Sequence, residues 1–186
     1  MSRTILGASK ESFLVRFGVS LAVSCFAAST YAQTVISTAQ NTDITSKLQS
    51  AHDACPAMGC TIQIPPGSYF LNGTISISKP IRIVGSGRES TVITYTPKAG
   101  FAFATIPQPG RLGVSFADFK LRTTNSISGT ALLLAFVEPA TVTNLWLDGF
   151  VGGIQITGNV TTDQSVGAWI TNTRIENISG AGAYAI

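Results

Sequence analysis

Three segments of the sequence align with one another and decide the fold: VSFADFKLR (114–122), ATVTNLWLD (140–148) and AWITNTRIE (168–176). A shared polar position recurs in them, at Asp118, Asn144 and Asn172, with spacings of 26 and 28 residues. Apolar residues flank this position on both sides. Self-similarity at such a period is typical of repeat proteins, in which each unit buries one face against its neighbours.

The apolar positions within a segment predict a strand, a corner and a second strand. Phe116, Phe119 and Leu121 cannot share one face of a straight strand, because strand side chains alternate with a period of two. A corner at 117–118 brings them to one side, and Asn or Asp suits such a corner because it tolerates left-handed backbone. A Gly-led strand follows each segment: GTALLL (129–134), GGIQIT (152–157) and GAYAI (182–186).

Stacked units of this kind predict an all-β parallel solenoid with an apolar interior. The expected interior residues are Phe116, Phe119, Leu121, Val142, Leu145, Leu147, Ile170 and Ile175. Outward residues then form columns along the solenoid. One column reads Arg82, Lys120, Trp146 and Arg174, with the 74–84 stretch set in the same register. We expect this column to bind substrate, because an exposed Trp offers a flat aromatic face and cations attract carboxylates. The alternative is a solubilising face, with Trp146 covered by a neighbouring turn.

Composition excludes several classes of protein. The chain has 186 residues, which suggests one domain, and 11% of them are charged, against about 25% in an average protein. This low charge argues against a coiled coil, a helical bundle or a charge-rich disordered chain. The formal charge of +3 is too small for a nucleic-acid reader, and no basic stripe is present.

The N-terminus is typical of a secretory signal peptide. Basic residues precede an apolar run, 17–28, whose 12 residues are too few for a bilayer span of about 20. Thr30 and Ala32 are small residues suited to cleavage before Gln33. We therefore predict a signal peptide at 1–32, an exported protein (secreted, periplasmic or extracellular) and no membrane span after cleavage. A single anchoring helix is the alternative, and a lipoprotein signal ending at Cys25 is a weaker one.

Two cysteines remain after cleavage, Cys55 and Cys60, and we expect them to form a disulfide. Cysteines in an exported chain most often pair, and the intervening PAMG can turn tightly. A redox-active pair is the alternative, although the spacing differs from that of thioredoxin-like sites. A zinc site would need further ligands, and His52 is the only His, so no metal site is predicted.

The stretch before the repeats completes a pattern found in a known family. Residues 42–55, TDITSKLQSAHDAC, place Ile44, Leu48, Ala51 and Cys55 on one helical face, with Thr42 or Asp43 as a cap. TIQIPPGSYFL (61–71), PIRIVGSG (80–87) and STVI (90–93) follow. Over about 40–186 the chain resembles the N-terminal part of a pectate-lyase-superfamily right-handed parallel β-helix, as in polygalacturonase-like enzymes and phage tailspikes. The resemblance implies that the helix caps the solenoid.

The same resemblance implies an exported protein that cleaves or binds acidic, uronate-rich polysaccharide. It also implies Ca²⁺ in relatives that cleave by elimination, although the sequence itself indicates no cofactor. No catalytic centre is recognisable, because the Asp and Glu residues are widely spread. GAYAI matches the start of a Gly-led strand, so we interpret 33–186 as the N-terminal part of a β-helix domain truncated at its C-terminus. The alternatives are a non-catalytic adhesin or surface-binding module and, against the signal peptide, a tailspike.

Overall fold

The computed structural model describes residues 32–106, 112–124, 129–158, 167–180 and 184–186. The predicted signal peptide therefore lies outside the described residues, apart from Ala32. Residues 182 and 183, which begin the third Gly-led segment, also lie outside the described residues.

Short strands follow one another in a repeating order, interrupted by one helix. In chain order the elements are β1 (Ala32–Val35), β2 (Thr42–Asp43), α1 (Thr45–Asp53), β3 (Cys60–Gln63), β4 (Gly67–Leu71), β5 (Ile75–Ile77), β6 (Ile81–Val84), β7 (Thr91–Tyr95), β8 (Phe101–Thr105), β9 (Leu112–Ala117), β10 (Lys120–Thr123), β11 (Thr130–Ala135), β12 (Val137–Thr143), β13 (Trp146–Asp148), β14 (Gly152–Thr157), β15 (Ala168–Thr171) and β16 (Arg174–Glu176).

The strands form three parallel sheets. Sheet A has the order β1-β3-β6-β9-β12-β15, sheet B has β2-β4-β7-β10-β13-β16, and sheet C has β5-β8-β11-β14. The chain visits A, B and C in turn, and each strand pairs with its counterpart one turn later. The predicted all-β parallel solenoid is thus confirmed. We call one A–B–C turn a coil.

The register predicted from the three aligned segments is confirmed residue by residue. Ala140 pairs with Val114 and with Ala168, and Leu147 pairs with Leu121 and with Ile175. The predicted interior residues of the first two segments are buried, whereas Ile170 and Ile175 are partly buried against the same core. Burial of one apolar face per coil, added coil after coil, is the main stabilising contribution in such an architecture.

A ladder of polar side chains runs through the corner between sheets A and B. Asp118, Asn144 and Asn172 have φ values of 63°, 54° and 47°, which is the left-handed conformation expected for this corner. The Asn144 Nδ2 donates to Asp118 Oδ1 at 2.7 Å, and the Asn172 Nδ2 donates to Asn144 Oδ1 at 3.0 Å. These side chains thus form hydrogen bonds with one another, which is the arrangement expected of a structural ladder.

Helix α1 takes the place of a sheet C strand in the first coil. It is shorter than the predicted 42–55, because Thr42 and Asp43 pair as β2 with Tyr69 and Phe70 of β4. Asp43 still supports the helix start, since its Oδ1 accepts a hydrogen bond from the Thr45 N–H at 2.9 Å. Leu48 and His52 are buried beneath the helix. The expected capping helix is therefore present, but it begins later and ends earlier than predicted.

The predicted disulfide is also present. Cys55 and Cys60 are bonded, with their Cα atoms 5.5 Å apart. The bond joins the end of α1 to the first residue of β3, so it holds the helix against the first coils. Both cysteines are buried within the hydrophobic core.

Candidate functional site

The predicted column of Arg82, Lys120, Trp146 and Arg174 divides between two sheets. Lys120, Trp146 and Arg174 are direct partners on β10, β13 and β16 of sheet B. Arg82 is on β6 of sheet A, where it pairs with Ser115. Its assignment to the column is therefore wrong. The physical reason is that Val92 of β7, not Arg82, precedes Lys120 in the sheet B register.

The sheet B column is a closed stack of cations on an aromatic ring. The Lys120 Nζ lies 3.3 Å from the centroid of the Trp146 ring, and the Arg174 Cζ lies 4.7 Å from it. These two cations come from the preceding and following coils, so the partly buried ring is held between them. The Trp146 Nε1 is buried without a hydrogen-bond partner among the described residues. A sugar ring has no uncovered face of Trp146 on which to stack.

Carboxylates of the chain neutralise both cations in this stack. The Lys120 Nζ lies 2.9 Å from Asp148 Oδ2, and Arg174 contacts the Glu176 carboxylate at 2.6 Å. Burial alone would raise the pKa of Asp148. Hydrogen bonds from Asn177 and Lys120 outweigh that effect and, with the positive charges of Lys120 and Arg122, lower the pKa below its usual value. The stack is thus self-contained, which favours a structural role.

A groove opens instead on the outer face of sheet A. Its cavity volume is about 370 Å³. Its lining residues are Gly59, Cys60, Thr61, Pro80, Ile81, Arg82, Gly113, Val114, Ser115, Pro139 and Thr141. We call it the sheet A groove. It forms because Gly113 and Ser115 are small, whereas larger residues stand on the coils before and after them.

Outward side chains form a continuous column along the groove. Thr61, Arg82, Ser115, Thr141 and Trp169 are successive partners on β3, β6, β9, β12 and β15. Hydroxyl groups therefore occupy the middle of the column. Each of them can donate one hydrogen bond and accept others. A cation stands toward one end and an aromatic ring at the other.

Arg82 and Trp169 are both available to solvent. Trp169 is 59% exposed, and Arg82 is also exposed. Among the residues that the structure describes, no carboxylate forms a salt bridge with Arg82. Three strand spacings of ~4.8 Å separate Arg82 from Trp169, or about 14 Å along the solenoid axis. The two side chains can thus contact separate parts of one extended ligand.

The wall of the groove contains an irregular stretch of backbone. Phe136 has a φ of 57°, which is strained for a bulky residue, and the register of β12 with β9 shifts between Val137 and Ala140. The shift places Glu138 and Pro139 opposite Gly113. Bulges and strained backbone occur preferentially beside functional sites. Here they set the shape of one wall.

Glu138 lies near the aromatic end of the groove. A Cβ added at Gly167 would lie 3.7 Å from Glu138 Cγ and 3.9 Å from the edge of the Trp169 ring. Glu138 and Trp169 thus flank the same glycine. Glu138 has an interaction partner of its own. Beside the groove, at the Trp169 end of the outward column, an aromatic face and a carboxylate are therefore close together.

The disulfide loop forms the wall at the other end. Gly59 has a φ of 98°, and a Cβ there would lie 2.6 Å from the Pro80 carbonyl oxygen. Only glycine allows this close approach. Gly59 and Cys60 both line the groove. The Cys55–Cys60 bond therefore holds groove wall and helix cap together.

Sequence reasoning missed Ser115, Thr141 and Trp169 as candidate binding residues. Their common register was present in the aligned segments, where the three occupy the second position. What concealed the site was the placement of Arg82 with the wrong strand. The signal that could have revealed it is an exposed Trp aligned with two small hydroxyl residues.

The described residues hold no group of three or more His, Cys, Asp or Glu side chains arranged to bind a metal ion. Within the same residues, no helix has the length and apolar character that crossing a membrane requires.

Comparisons with known proteins support the fold alone. No family model matches the chain, and no curated protein matches its sequence. A solved structure, ORF18 of Geobacillus virus E2, is similar with a TM-score of 0.52 and 16% sequence identity. The match covers 72% of this chain and 32% of the phage chain, so the present chain spans about a third of that protein's length.

Proposed function

We propose that this chain belongs to an exported β-helix protein that binds acidic polysaccharide through the sheet A groove. The observation that carries the proposal is the groove itself. It presents an exposed cation without a described carboxylate partner and a row of hydroxyl groups, and the same outward column continues past the groove to the exposed Trp169, the strand partner of Thr141. These are the groups that recognise carboxylates, sugar hydroxyls and sugar rings respectively.

We assign polysaccharide binding to Arg82 and withdraw it from Lys120, Trp146 and Arg174. Those three side chains already form cation–π contacts with one another, and the two cations form salt bridges with Asp148 and Glu176. A ligand carboxylate at Lys120 or Arg174 would have to displace Asp148 or Glu176. At Arg82 it would displace only water.

Two roles for such binding are consistent with the resemblance to the pectate-lyase superfamily. The first is substrate binding in a polysaccharide lyase or glycoside hydrolase of that type. The second is attachment, in a non-catalytic adhesin or surface-binding module. Hydrolysis requires two carboxylates about 5–10 Å apart. Glu138 is the carboxylate near the groove among the described residues, which favours the binding role for this part of the protein.

Affinity electrophoresis and calorimetry with acidic polysaccharides test the proposal. Arg82→Gln should weaken binding about tenfold, because it removes a charge-assisted hydrogen bond. Arg174→Gln is the matched control on sheet B and should leave binding unchanged. Equal losses in the two variants, or binding that survives Arg82→Gln intact, would refute the assignment to the groove. Release of unsaturated or reducing sugar ends by the purified chain would identify the enzymatic role.

A further inference from the structure

Gly113 occupies a strand position where a larger residue would fit among the described residues. It is the second residue of β9, and its backbone is not in the left-handed conformation. A Cβ added there would lie 3.8 Å from Pro139 Cδ and 4.0 Å from the Pro139 carbonyl oxygen, which are ordinary van der Waals distances. Neither the backbone conformation nor a close contact of the described residues therefore requires glycine at this position.

A glycine of this kind costs stability, so its presence indicates that the space above it is used. Glycine loses more conformational freedom on folding than any other residue, and it has no side chain to pack in a strand. Within strands it often marks a place where a ligand approaches the backbone closely. Gly113 lines the sheet A groove, where a ligand would make such an approach.

The space above Gly113 is a slot between two prolines. Ile81 pairs with Val114, so Pro80 stands beside Gly113 on the preceding coil. Pro139 stands beside it on the following coil, and both prolines line the groove. Two strand spacings of ~4.8 Å set the prolines about 10 Å apart. A ring inserted between them needs about 4–4.5 Å on each face for contact, so the slot has the width of one ring.

Polar side chains stand two residues farther along the same three strands. They are Arg82 on β6, Ser115 on β9 and Thr141 on β12, and all three line the groove. Residues i and i+2 of a strand face the same side, about 6.6 Å apart. A pyranose ring between the prolines would therefore present its apolar C–H faces to them. Its carboxylate and hydroxyl groups project from the ring edge, toward the polar row.

We infer that Gly113 is a specificity-determining residue of the sheet A groove. The slot between Pro80 and Pro139 receives one uronate ring of the acidic polysaccharide. The carboxylate of the ring pairs with Arg82, and its hydroxyls bond to Ser115. A side chain at position 113 closes the slot, so recognition depends on the absence of one. This inference rests on the proposed function and specifies how the same groove recognises its ligand.

Two substitutions that fill the slot test the inference. Binding of oligogalacturonate is measured by calorimetry at fixed ionic strength, and stability is measured by urea unfolding. Gly113→Ala should weaken binding about tenfold, because a pocket discriminates by at least roughly that factor against one additional carbon atom. Gly113→Leu should weaken it further. Neither variant should lower the urea midpoint, since each replaces a glycine within a strand. Binding lost while stability is kept or gained is expected of a residue retained for function.

Two controls separate the ring from its charge and from glycine replacement in general. Gly73 lies outside the groove lining, and a Cβ there would lie 3.4 Å from Thr45 Cγ2, so Gly73→Ala should leave binding unchanged. Poly-L-glutamate offers carboxylates without a sugar ring. Its binding should be weaker than that of oligogalacturonate, should fall in Arg82→Gln and should stay unchanged in Gly113→Ala.

The outcomes separate this inference from the function on which it rests. Oligogalacturonate binding that survives Gly113→Leu but is lost in Arg82→Gln would overturn the slot and leave the proposed function in place. A lower urea midpoint in both Gly113 variants would show that the glycine serves the fold. Equal losses for poly-L-glutamate and oligogalacturonate in Gly113→Ala would exclude ring insertion. Failure of the unmodified chain to bind oligogalacturonate would overturn the inference, and failure to bind every acidic polysaccharide would overturn the proposed function as well.

Discussion

Trp146 and Trp169 illustrate how the neighbours of a side chain decide what it can do. Both project outward from strands of the solenoid, one from β13 and the other from β15. Trp146 is held between Lys120 and Arg174, whereas Trp169 stands 59% exposed above Thr141. The first is therefore part of the packed structure, and the second is available to a ligand.

Replacing each tryptophan by alanine should separate stability from binding. Trp146→Ala should lower the free energy of unfolding by about 1–3 kcal/mol, since it removes two cation–π contacts and a partly buried ring. Trp169→Ala should change it by less than about 0.5 kcal/mol, as is usual at exposed positions. Urea unfolding followed by circular dichroism measures both. Trp169→Ala should weaken glycan binding more than Trp146→Ala does. A larger stability loss in Trp169→Ala, or a larger binding loss in Trp146→Ala, would contradict the interpretation.

Asp148 should make the stability of the chain sensitive to acid. Because the pKa of Asp148 is lowered in the folded protein, its contribution is present above the unfolded pKa of about 3.9 and is lost as pH falls through the folded value. Unfolding measured between about pH 6 and pH 2 should show a smaller loss of stability on acidification for Asp148→Asn than for the unmodified chain.

The exposed Glu89 provides the control for this titration. Glu89→Gln should retain the acid dependence of the unmodified chain. Asp43 and Asp53 also have lowered pKa values, so part of the dependence should remain in every variant. An Asp148→Asn variant that loses stability on acidification as steeply as the unmodified chain would show that this carboxylate is not engaged as the structure indicates.

At the scale of elements, α1 covers the open edge of sheet C at strand β5. β5 is the first strand of sheet C, so its outer N–H and C=O groups have no strand to pair with. Side chains of α1 supply the partners. Gln49 accepts a hydrogen bond from the Ser76 N–H at 2.9 Å and donates to the Ser76 carbonyl at 3.1 Å. The Nε2 of buried His52 accepts one from the Ser78 N–H at 3.1 Å.

The geometry at Ser78 assigns the tautomer of His52. Since Nε2 accepts a hydrogen bond there, the ring proton is on Nδ1, which donates to Asp53 Oδ1 at 2.8 Å. Lys79 donates to the carbonyl oxygens of Asp53 and Cys55 and so satisfies the end of the helix. The helix thus imitates the hydrogen bonding of the strand whose place it takes.

The isosteric change Gln49→Glu tests this role. Glu retains an acceptor for the Ser76 N–H but loses the donor, and it sets a carboxylate against the Ser76 carbonyl and the Asp53 carboxylate. We expect a loss of about 1–3 kcal/mol in stability and faster hydrogen exchange at Ser76 and Ser78. The exposed Gln40 offers a matched control, and Gln40→Glu should alter neither quantity. Unchanged stability in Gln49→Glu would exclude the capping role.

At the scale of the whole molecule, the internal repeat made the architecture predictable. The Asn corners at 118, 144 and 172 set the phase of three coils, and every pairing derived from them is present. The earlier coils lack that marker. Gly85 occupies the corner place beside Asp118, because Val84 pairs with Ala117. Without a polar corner the sequence could not reveal that Arg82 belongs to sheet A.

The helix bounds and the groove wall depended on contacts distant in sequence. Thr42 and Asp43 have the composition of a helix start, but pairing with β4 takes them into a strand. The bulge at Glu138 and Pro139 shows no period that a sequence pattern could reveal, and one wall of the groove lies where Pro139 faces Gly113 across the sheet. The sequence pattern therefore predicts which residues share an outward column, but it does not predict where the groove lies.

The Cys55–Cys60 disulfide joins the helix cap to the groove, so its removal should affect both. Closing so short a loop contributes about 2 kcal/mol in the chain-entropy model, and the double variant Cys55→Ser/Cys60→Ser should lose about that much stability in urea unfolding. Because Gly59 and Cys60 line the groove, the variant should also bind acidic polysaccharide less tightly at temperatures where it is fully folded. Met58→Ala, at the 80% exposed tip of the same loop, keeps the disulfide and should change neither property. Stability lost without any change in binding would mean that the wall near Gly59 keeps its shape through Pro80 alone, and that cap and groove are independent parts of the solenoid.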